Sequence, residues 1–260
     1  MRSIDLISLN YLLAKETNLN FPLDCDVFEE VKDKLSKEQI KTVMIDLGKY
    51  LAQLHKIKGD RFGFVDASLL DNYELKGSHS TWYDFWADNF KTGFKEMEKV
   101  ENEEKKTGKY RTDLSKSNRE LMYELLGRKS EFLKILDANK ELINSSDSHF
   151  LCGNVYAKNI NLRNGRFVGL LDFNKSLLGD PVDELAYFSI MPGCSEYLEF
   201  ILSGWTSIVN EKKLDEKLHL YRLVESYRKI ITRYITHRYL DNYPEPLQIA
   251  QEELNYYNIK

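Results

Sequence analysis

The residues most able to do chemistry lie in one polar stretch, which runs from Cys152 to Asp183. A loop in this stretch ends in Asn159, a short hairpin turns at Asn164-Gly165, and an apolar strand then leads to Asp172. An amide on the loop and a carboxylate beyond the hairpin can hold the same Mg²⁺ from two sides. The spacing therefore predicts the metal-holding part of a phosphoryl-transfer site, with Asn159 and Asp172 as ligands.

The same loop carries an amide where a phosphoryl-transfer loop normally carries its carboxylate base. That position is Asn154. An amide cannot accept a proton at neutral pH, although it can still orient a hydroxyl group. Because general-base help typically contributes about 10²–10⁴-fold to a rate, the sequence predicts impaired catalysis.

The loop and its surroundings resemble the aminoglycoside phosphotransferase and choline kinase family, whose members are related to the protein kinases. The family pattern is His-Gly-Asp, four residues and Asn, then a hairpin, Ile-Asp-Phe and a Gly-Asp-Pro turn. Gly153 keeps its place, and Asn159 follows Asn154 at the family spacing. Leu171-Asp172-Phe173 supplies the second metal carboxylate. Two positions depart from the pattern, since Cys152 stands where the family has His and Asn154 where it has the catalytic Asp.

Flanking segments carry the resemblance further. Tyr50 to His55, followed by Phe62-Gly63, is similar to the first long helix and exit loop of the family. The Gly-Asp-Pro turn is present at Gly179-Asp180-Pro181. The resemblance implies that Gly153 and Asp180 support the loop, with Asp180 bonding its backbone amides.

The resemblance covers about residues 9–240 and implies an α+β, mostly helical fold. This fold is the C-terminal (large) lobe of the protein-kinase-like fold, with a small β-hairpin at the catalytic loop. Residues 1–16 are expected to form the remaining hinge and last strand of the small lobe, and residues 17–260 the helical lobe. The N-terminal lobe is expected to be largely absent, because no G-x-G loop and no G-x-x-x-x-G-K sequence occurs. Residues 101–117 have few apolar side chains and mixed charge, which predicts an exposed linker whose start can continue the preceding helix.

The resemblance also implies ligands and partners. Mg²⁺ and ATP or GTP are the expected cofactors, with adenine bound at a hinge that ends near Glu16, and the acceptor is expected to be a small molecule with a hydroxyl group. Two functions stay open: a phosphotransferase with impaired catalysis, and a non-catalytic, pseudokinase-like binding or scaffold module. An uncovered edge at residues 6–13 predicts either a homodimer formed through that edge or a helix folded over it. The missing small lobe leaves open a separate small-lobe partner.

Local signals place the helices that must position these residues. Ser36 and Gln39 form a capping-box pattern, which predicts a helix from there to about His55. Pro181 is typical of the first turn of a helix, here one that reaches about Ser189.

Three weaker patterns in the sequence also predict local structure. An aromatic stripe predicts a core-facing helix over about residues 81–100. The hairpin is the one clear β signal apart from the N-terminus. Asp183 and Glu184 are expected to charge the first turn of their helix.

Composition excludes several classes of protein. A formal net charge of −4 argues against binding to a phosphate backbone, and no apolar run approaches the roughly 20 residues of a membrane span. Cys25, Cys152 and Cys194 are odd in number and widely spaced, which favours reduced thiols over disulfides or a zinc site. The sequence thus predicts a cytoplasmic protein without nucleic-acid or membrane partners.

Overall fold

The computed structural model describes residues 25–65, 75–108, 115–236 and 244–259. The expected hinge and strand of residues 1–16, with Glu16, lie outside this part of the chain. The described residues are mostly helical with small antiparallel sheets, as predicted. The helices are α1 (Phe28–Val31), α2 (Lys37–Leu54), α3 (Trp82–Thr107), α4 (Lys116–Gly127), α5 (Lys129–Ala138), α6 (Lys140–Ile143), α7 (Pro181–Ser189), α8 (Leu198–Thr206), α9 (Leu214–Thr236) and α10 (Glu245–Ile259), and the strands are β1 (Asp26–Val27), β2 (Gly63–Phe64), β3 (His149–Leu151), β4 (Ile160–Arg163), β5 (Arg166–Leu170) and β6 (Leu177–Gly179).

The predicted hairpin consists of β4 and β5, and the structure confirms it. Ile160 pairs with Leu170, so the start of β4 lies beside the end of β5. Asn164 and Gly165 connect the strands with φ angles of 51° and 70°. Two successive left-handed residues allow the tight turn that matches the twist of paired strands. Strand β1 pairs with the other edge of β4 and completes a three-stranded sheet.

A second three-stranded sheet, in the order β2-β6-β3, has no counterpart in the sequence prediction. Its strands are only two or three residues long, which is too short for an alternating pattern to be read. Phe150 of β3 pairs with Leu178 of β6, and both are buried. This sheet matters for the site because β3 leads directly into the polar loop.

Helix α2 begins at the predicted capping box and packs closely against α8. The Ser36 hydroxyl accepts from the Gln39 amide at 3.2 Å, and the Gln39 side chain accepts from the Ser36 amide at 2.9 Å. A Cβ at Gly48 would lie 2.1 Å from the carbonyl oxygen of Ile201, and one at Gly204 would be equally close to the backbone of α2. Two glycines therefore allow the backbones of α2 and α8 to touch.

Helix α3 runs farther than its aromatic stripe predicts. It is capped by Thr81 and continues to Thr107, so the helix extends into the start of the expected linker, as the sequence allowed. Glu and Lys are good helix formers, and Glu101 pairs with Lys105 at 2.8 Å along the helix. Gly108, with a φ angle of 67°, ends the helix in the left-handed conformation that favours glycine.

The aromatic stripe of α3 packs in the core, as predicted. Trp82 and Phe85 stack with their centroids 4.7 Å apart, and Phe90 contacts Phe132 of α5 edge to face at 4.6 Å. Phe132 in turn stacks on Tyr227 of α9 at 4.1 Å. These rings connect α3, α5 and α9. Within the described ranges, no helix is long and apolar enough to cross a membrane.

Candidate active site

The predicted metal ligands lie at the same end of the hairpin. Asn159 closes a short 3₁₀ turn immediately before β4, and Asp172 follows β5 by two residues. Because β4 and β5 are antiparallel partners, the start of one and the end of the other are neighbours. The amide of Leu171 donates to the carbonyl oxygen of Asn159 at 2.8 Å, which extends this pairing to the site itself.

Three predicted site residues are joined by hydrogen bonds centred on residue 154. The side-chain amide of Asn154 donates to Oδ2 of Asp172 at 2.5 Å. The side-chain amide of Asn159 donates to the backbone carbonyl of Asn154 at 2.8 Å. The structure thus brings Asn154, Asn159 and Asp172 together, although they are separated in sequence by a loop and a hairpin.

Asp172 has an uncommon backbone conformation. Its φ angle is 63°, in the left-handed region that non-glycine residues seldom occupy. Aspartate tolerates this region better than most residues, but the conformation still costs energy. Such outliers cluster at functional sites, where the surrounding structure fixes them. The observation supports a functional role for this carboxylate.

Gly153 is required by both its conformation and its surroundings. Its φ angle is 72°, and a Cβ at this position would lie 2.1 Å from the backbone oxygen of Lys175. The amide of Gly153 donates to Oε1 of Glu184 at 2.6 Å. The loop is therefore held on one side by a close backbone contact and on the other by a buried carboxylate.

Glu184 connects the loop to the core through a chain of buried polar groups. Its other oxygen, Oε2, contacts Nε2 of His55 at 3.0 Å, and the indole N–H of Trp205 donates to Nδ1 of His55 at 3.0 Å. Since an indole nitrogen can only donate, Nδ1 must accept, and Nε2 carries the proton that is donated to Glu184. His55 is thus the satisfied core histidine of a Trp205–His55–Glu184 network.

Glu184 is a functional residue that the sequence reasoning missed. It lies in the first turn of α7 as expected, but its carboxylate reaches back to a loop 31 residues earlier. No local pattern distinguishes this contact from an ordinary first-turn carboxylate. The contact depends on the packing of α7 beneath the loop.

Asp180 supports α7 instead of the loop amides, which corrects the role expected for it. Its Oδ1 accepts from the Val182 amide at 3.0 Å and caps the helix that begins at Pro181. Its Oδ2 lies 2.8 Å from the buried ammonium of Lys217 and accepts from the Tyr221 hydroxyl at 3.1 Å. Because an N-cap side chain is occupied by its own helix, Glu184 one turn later is the residue that reaches Gly153.

A second buried contact to residue 154 comes from α7 and α9. The hydroxyl of Tyr187 donates to Oδ1 of Asn154 at 3.4 Å, and Nζ of Lys229 donates to the hydroxyl of Tyr187 at 2.9 Å. The guanidinium of Arg228 lies 5.3 Å from the centroid of the Tyr187 ring. These residues were absent from the sequence prediction, because their positions on two helices do not indicate that they face the loop.

The donor set at the site suits Mg²⁺. The hydrogen bonds engage Nδ2 of Asn159, so its carbonyl oxygen is the atom that can face a cation, and Asp172 is only partly buried. Oxygen ligands of this kind are those that Mg²⁺ prefers, with nucleotide phosphates supplying others. Among the described residues no cluster of three or more His, Cys, Asp or Glu could hold a metal without such help.

Cys152 is buried, and its burial raises the pKa of its thiol well above the ordinary value. The side chain therefore remains a neutral thiol. It fills the position of the family His as a small apolar group and takes no part in the chemistry.

Comparison with known proteins identifies the family. The sequence model of the phosphotransferase enzyme family, APH, matches residues 24–207. A comparison with curated protein sequences found no match. Among solved structures, APH(2″)-IIa in complex with gentamicin has a TM-score of 0.59 and 18% sequence identity, with 95% of this chain and 78% of that chain covered.

Two further solved structures give the same result. A thermostable mutant of the aminoglycoside phosphotransferase APH(4)-Ia in its apo form has a TM-score of 0.59 at 14% identity, covering 96% of this chain and 83% of that chain. ADP-bound APH(2″)-Ib has a TM-score of 0.55 at 16% identity, with 95% and 83% covered. At these identities the likeness concerns the fold alone. The family match spans more than half of the sequence, and this chain therefore belongs to the phosphotransferase enzyme family.

Proposed function

We propose that this protein transfers a phosphoryl group from ATP or GTP to a hydroxyl group of a small molecule, and that it does so slowly. The family membership supports the reaction class. The observation that carries the proposal is the hydrogen-bonded group of Asn154, Asn159 and Asp172, in which the two metal-binding residues and the base position are all adjacent.

Asn159 and Asp172 would hold Mg²⁺ through their side-chain oxygens. When bound, the ion supplies positive charge beside the phosphate oxygens, where negative charge develops during transfer. The protein contributes the rigid placement of these two residues. The left-handed backbone at Asp172 and the network that fixes the loop through Gly153 both serve this placement.

Asn154 limits the rate because its amide cannot take the proton of the acceptor hydroxyl. A positioned base typically contributes about 10²–10⁴-fold, so a direct loss would slow the reaction by a similar factor. The loose transition state of phosphoryl transfer makes positioning and charge stabilisation the larger contributions, and these do not depend on residue 154 alone. Slow turnover is consequently more consistent with this site than complete inactivity.

The acceptor has a place to bind between α3 and α9. A cavity of about 410 Å³ lies there, lined by aromatic and charged side chains that include Phe64, Asp88, Glu96 and Arg228. Arg228 also stacks on Tyr187, whose hydroxyl reaches Asn154. Arg228 thus belongs both to the cavity and to the contacts that lead through Tyr187 to Asn154, which supports an acceptor site on this side of the base position.

One observation favours the second candidate function, a non-catalytic binding module. The bond from Asn154 already occupies Oδ2 of Asp172, an oxygen that a metal ion would otherwise use. A site in this condition could bind a ligand without turning it over. The two functions differ in what restoring the carboxylate at residue 154 would do.

Thermal unfolding with and without nucleotide tests the proposal. Saturating ATP or GTP with Mg²⁺ should raise the melting temperature of the wild-type chain, and EDTA should abolish the increase. The matched variant Asp172→Asn should show no Mg²⁺-dependent increase. An unmoved wild-type melting temperature would contradict nucleotide binding by this chain.

Phosphoryl transfer then separates the two functions. Release of ADP or GDP is measured for the wild type and for Asn154→Asp with a panel of hydroxyl acceptors. We expect the variant to be faster by a part of the about 10²–10⁴-fold that a base contributes. A variant that binds Mg²⁺-nucleotide yet transfers nothing would favour the binding module.

We also propose a cytoplasmic location and self-association. Cys25, Cys152 and Cys194 form no disulfide with one another, which fits a reducing compartment. The edge expected to pair in a homodimer, residues 6–13, lies outside the described residues. Light scattering at micromolar concentration tests this association, and a monomeric mass would contradict it.

A further inference from the structure

A chain of hydrogen bonds connects an amine to the position of the missing base. Nζ of Lys229 donates to the hydroxyl of Tyr187 at 2.9 Å, and Tyr187 donates to Oδ1 of Asn154 at 3.4 Å. Tyr187 and Asn154 are almost fully buried. An acceptor hydroxyl oriented by Oδ1 of Asn154 would therefore approach the phenol oxygen of Tyr187 as well.

The surroundings of Lys229 make it able to take up a proton. Burial and then the neighbouring guanidinium of Arg228 lower the pKa of Lys229 to about 6, so at neutral pH the amine is mostly neutral. Arg233 on the same helix and Lys175 on the loop after Asp172 act in the same direction, whereas Glu225 opposes them.

Two nearby acids do not cancel this effect. Glu225 is paired with Arg228 at 2.5 Å, so its charge is largely balanced locally. Burial raises the pKa of Asp183 well above its ordinary value and so disfavours a negative charge on this carboxyl group. The amine also lies over the ring of Tyr187, whose centroid is 4.4 Å from Nζ.

Tyr187 is suited to pass a proton on without keeping a charge. Burial raises the pKa of its hydroxyl, so a lasting phenolate is disfavoured. A phenol can nevertheless accept a proton at its oxygen while its own proton leaves, and its hydrogen rotates to suit either partner. Its position between Asn154 and Lys229 provides one neighbour on each side.

We propose that Lys229, acting through Tyr187, takes up the proton that the acceptor hydroxyl loses, in place of the carboxylate absent at residue 154. This inference rests on the proposed phosphoryl transfer. It makes Tyr187 the group that touches the reacting hydroxyl and Lys229 the residue that acts through it. The site would then compensate in part for the replacement of its base.

The proposed phosphoryl transfer conserves atoms and electrons. The acceptor O–H bond breaks as its oxygen forms a bond to the γ-phosphorus of the nucleoside triphosphate, and the bridging P–O bond breaks with its electron pair leaving on the nucleoside diphosphate. The hydroxyl proton moves to the phenol oxygen of Tyr187 while the proton of Tyr187 moves to Nζ of Lys229. Lys229 ends as an ammonium and returns its proton to solvent before the next cycle.

Three variants distinguish proton uptake from a simple positive charge or from packing. Lys229→Met removes the amine, Lys229→Arg introduces a permanent positive charge that cannot titrate, and Tyr187→Phe keeps the ring but breaks the hydrogen-bond chain. Lys212→Met, at an exposed lysine, is the matched control. Each full-length variant is first melted to confirm that it is folded.

We expect all three variants to lower kcat by roughly tenfold to a hundredfold, less than the loss of a directly placed base. The wild-type rate should rise with pH through about 6 and then level off, because the neutral amine is the active form. This rise should disappear in Lys229→Arg, whereas ionisation of the nucleotide affects every variant equally. Retention of activity by Lys229→Arg would overturn the proposal in favour of a fixed positive charge.

A carboxylate at residue 154 provides a further check. In the Asn154→Asp background the base is restored, so Lys229→Met should have little effect on kcat. An equal loss in both backgrounds would indicate a structural role for Lys229 and overturn the proposal. If the wild type binds nucleotide but shows no turnover while Asn154→Asp is active, both the proton relay through Lys229 and the proposed slow phosphoryl transfer are overturned.

Titration of the amine gives a readout that does not depend on turnover. The chain is labelled with ¹³C at lysine Cε, and the resonance of Lys229 is assigned by its absence in Lys229→Arg. We expect this resonance to titrate near pH 6, well below the pH range in which lysine side chains ordinarily titrate. Titration above pH 9 would overturn the relay even if the enzyme is active, so the two failures can be told apart.

Discussion

Glu184→Gln tests whether one buried carboxylate fixes the catalytic loop. Both oxygens of Glu184 now accept, from the Gly153 amide at 2.6 Å and from Nε2 of His55 at 3.0 Å. Glutamine has the same shape but a single acceptor oxygen, so one of the two donors loses its partner. Moving the His55 proton to Nδ1 gives no relief, because the Trp205 N–H already donates to that nitrogen.

The cost follows from this geometry. The side chains of Glu184 and His55 are buried, so an unsatisfied donor cannot turn to water. Leaving such a group without an acceptor costs about 1–3 kcal/mol. For a chain of this size, a loss of about 2 kcal/mol corresponds to a fall of about 4–8 °C in Tm.

Circular dichroism melts of the full chain measure this change. The matched control is Glu98→Gln, which removes a 64% exposed carboxylate with one surface contact to Lys129 at 3.1 Å. The control should shift Tm by less than about 4 °C, since exposed pairs contribute about 0–1 kcal/mol. Hydrogen exchange at the Gly153 amide should also accelerate in Glu184→Gln. Equal melting temperatures and unchanged exchange would refute the role assigned to Glu184.

Three further outcomes are expected. Gly153→Ala should lower the free energy of unfolding, measured by chemical denaturation, by about 2–4 kcal/mol, because alanine would be strained at φ 72° and would overlap the backbone of Lys175. A variant as stable as the wild type would contradict this expectation. Burial raises the pKa of Asp183, so Asp183 ionises in the unfolded chain from about pH 4 but at higher pH in the folded chain, and the free energy of unfolding of the wild type should fall as pH rises above about 4. Asp183→Asn should have a higher melting temperature at pH 7 and a smaller decline, and an unchanged pH dependence would contradict this assignment. Gly48→Ala should lower the free energy of unfolding by about 1–3 kcal/mol, because its Cβ would overlap the backbone of α8. Gly127→Ala should raise it by about 0.4–1 kcal/mol, because no atom lies within 4 Å of the added Cβ. The reverse order of stabilities in urea unfolding would refute the packing argument.

Features with a local cause could be predicted from the sequence. The capping box at Ser36 and the two-residue turn at Asn164-Gly165 depend on neighbouring residues alone, and both are present. Proline at position 181 fixes the start of α7 for the same reason. The pattern of the loop also placed Asn159 and Asp172 at the same end of the hairpin, because a hairpin necessarily brings its two ends together.

Features with a distant cause could not be predicted in this way. The second sheet consists of strands that are too short to show a period in the sequence. Glu184 and Lys229 act on the loop from helices 31 residues or more away in sequence. Their roles depend on how α7 and α9 pack, which no short pattern encodes.

The amide at residue 154 has a physical explanation in the charge of the site itself. An aspartate there would place a second carboxylate at the position of the 2.5 Å contact with Asp172. Two carboxylates at that distance repel each other unless a cation lies between them or one is protonated. The amide instead donates to Asp172 and stabilises the site without a metal ion. Asparagine at residue 154 thus removes the direct base and also removes the repulsion between two carboxylates. A proton acceptor that lies farther away, at Lys229 behind Tyr187, is compatible with both consequences.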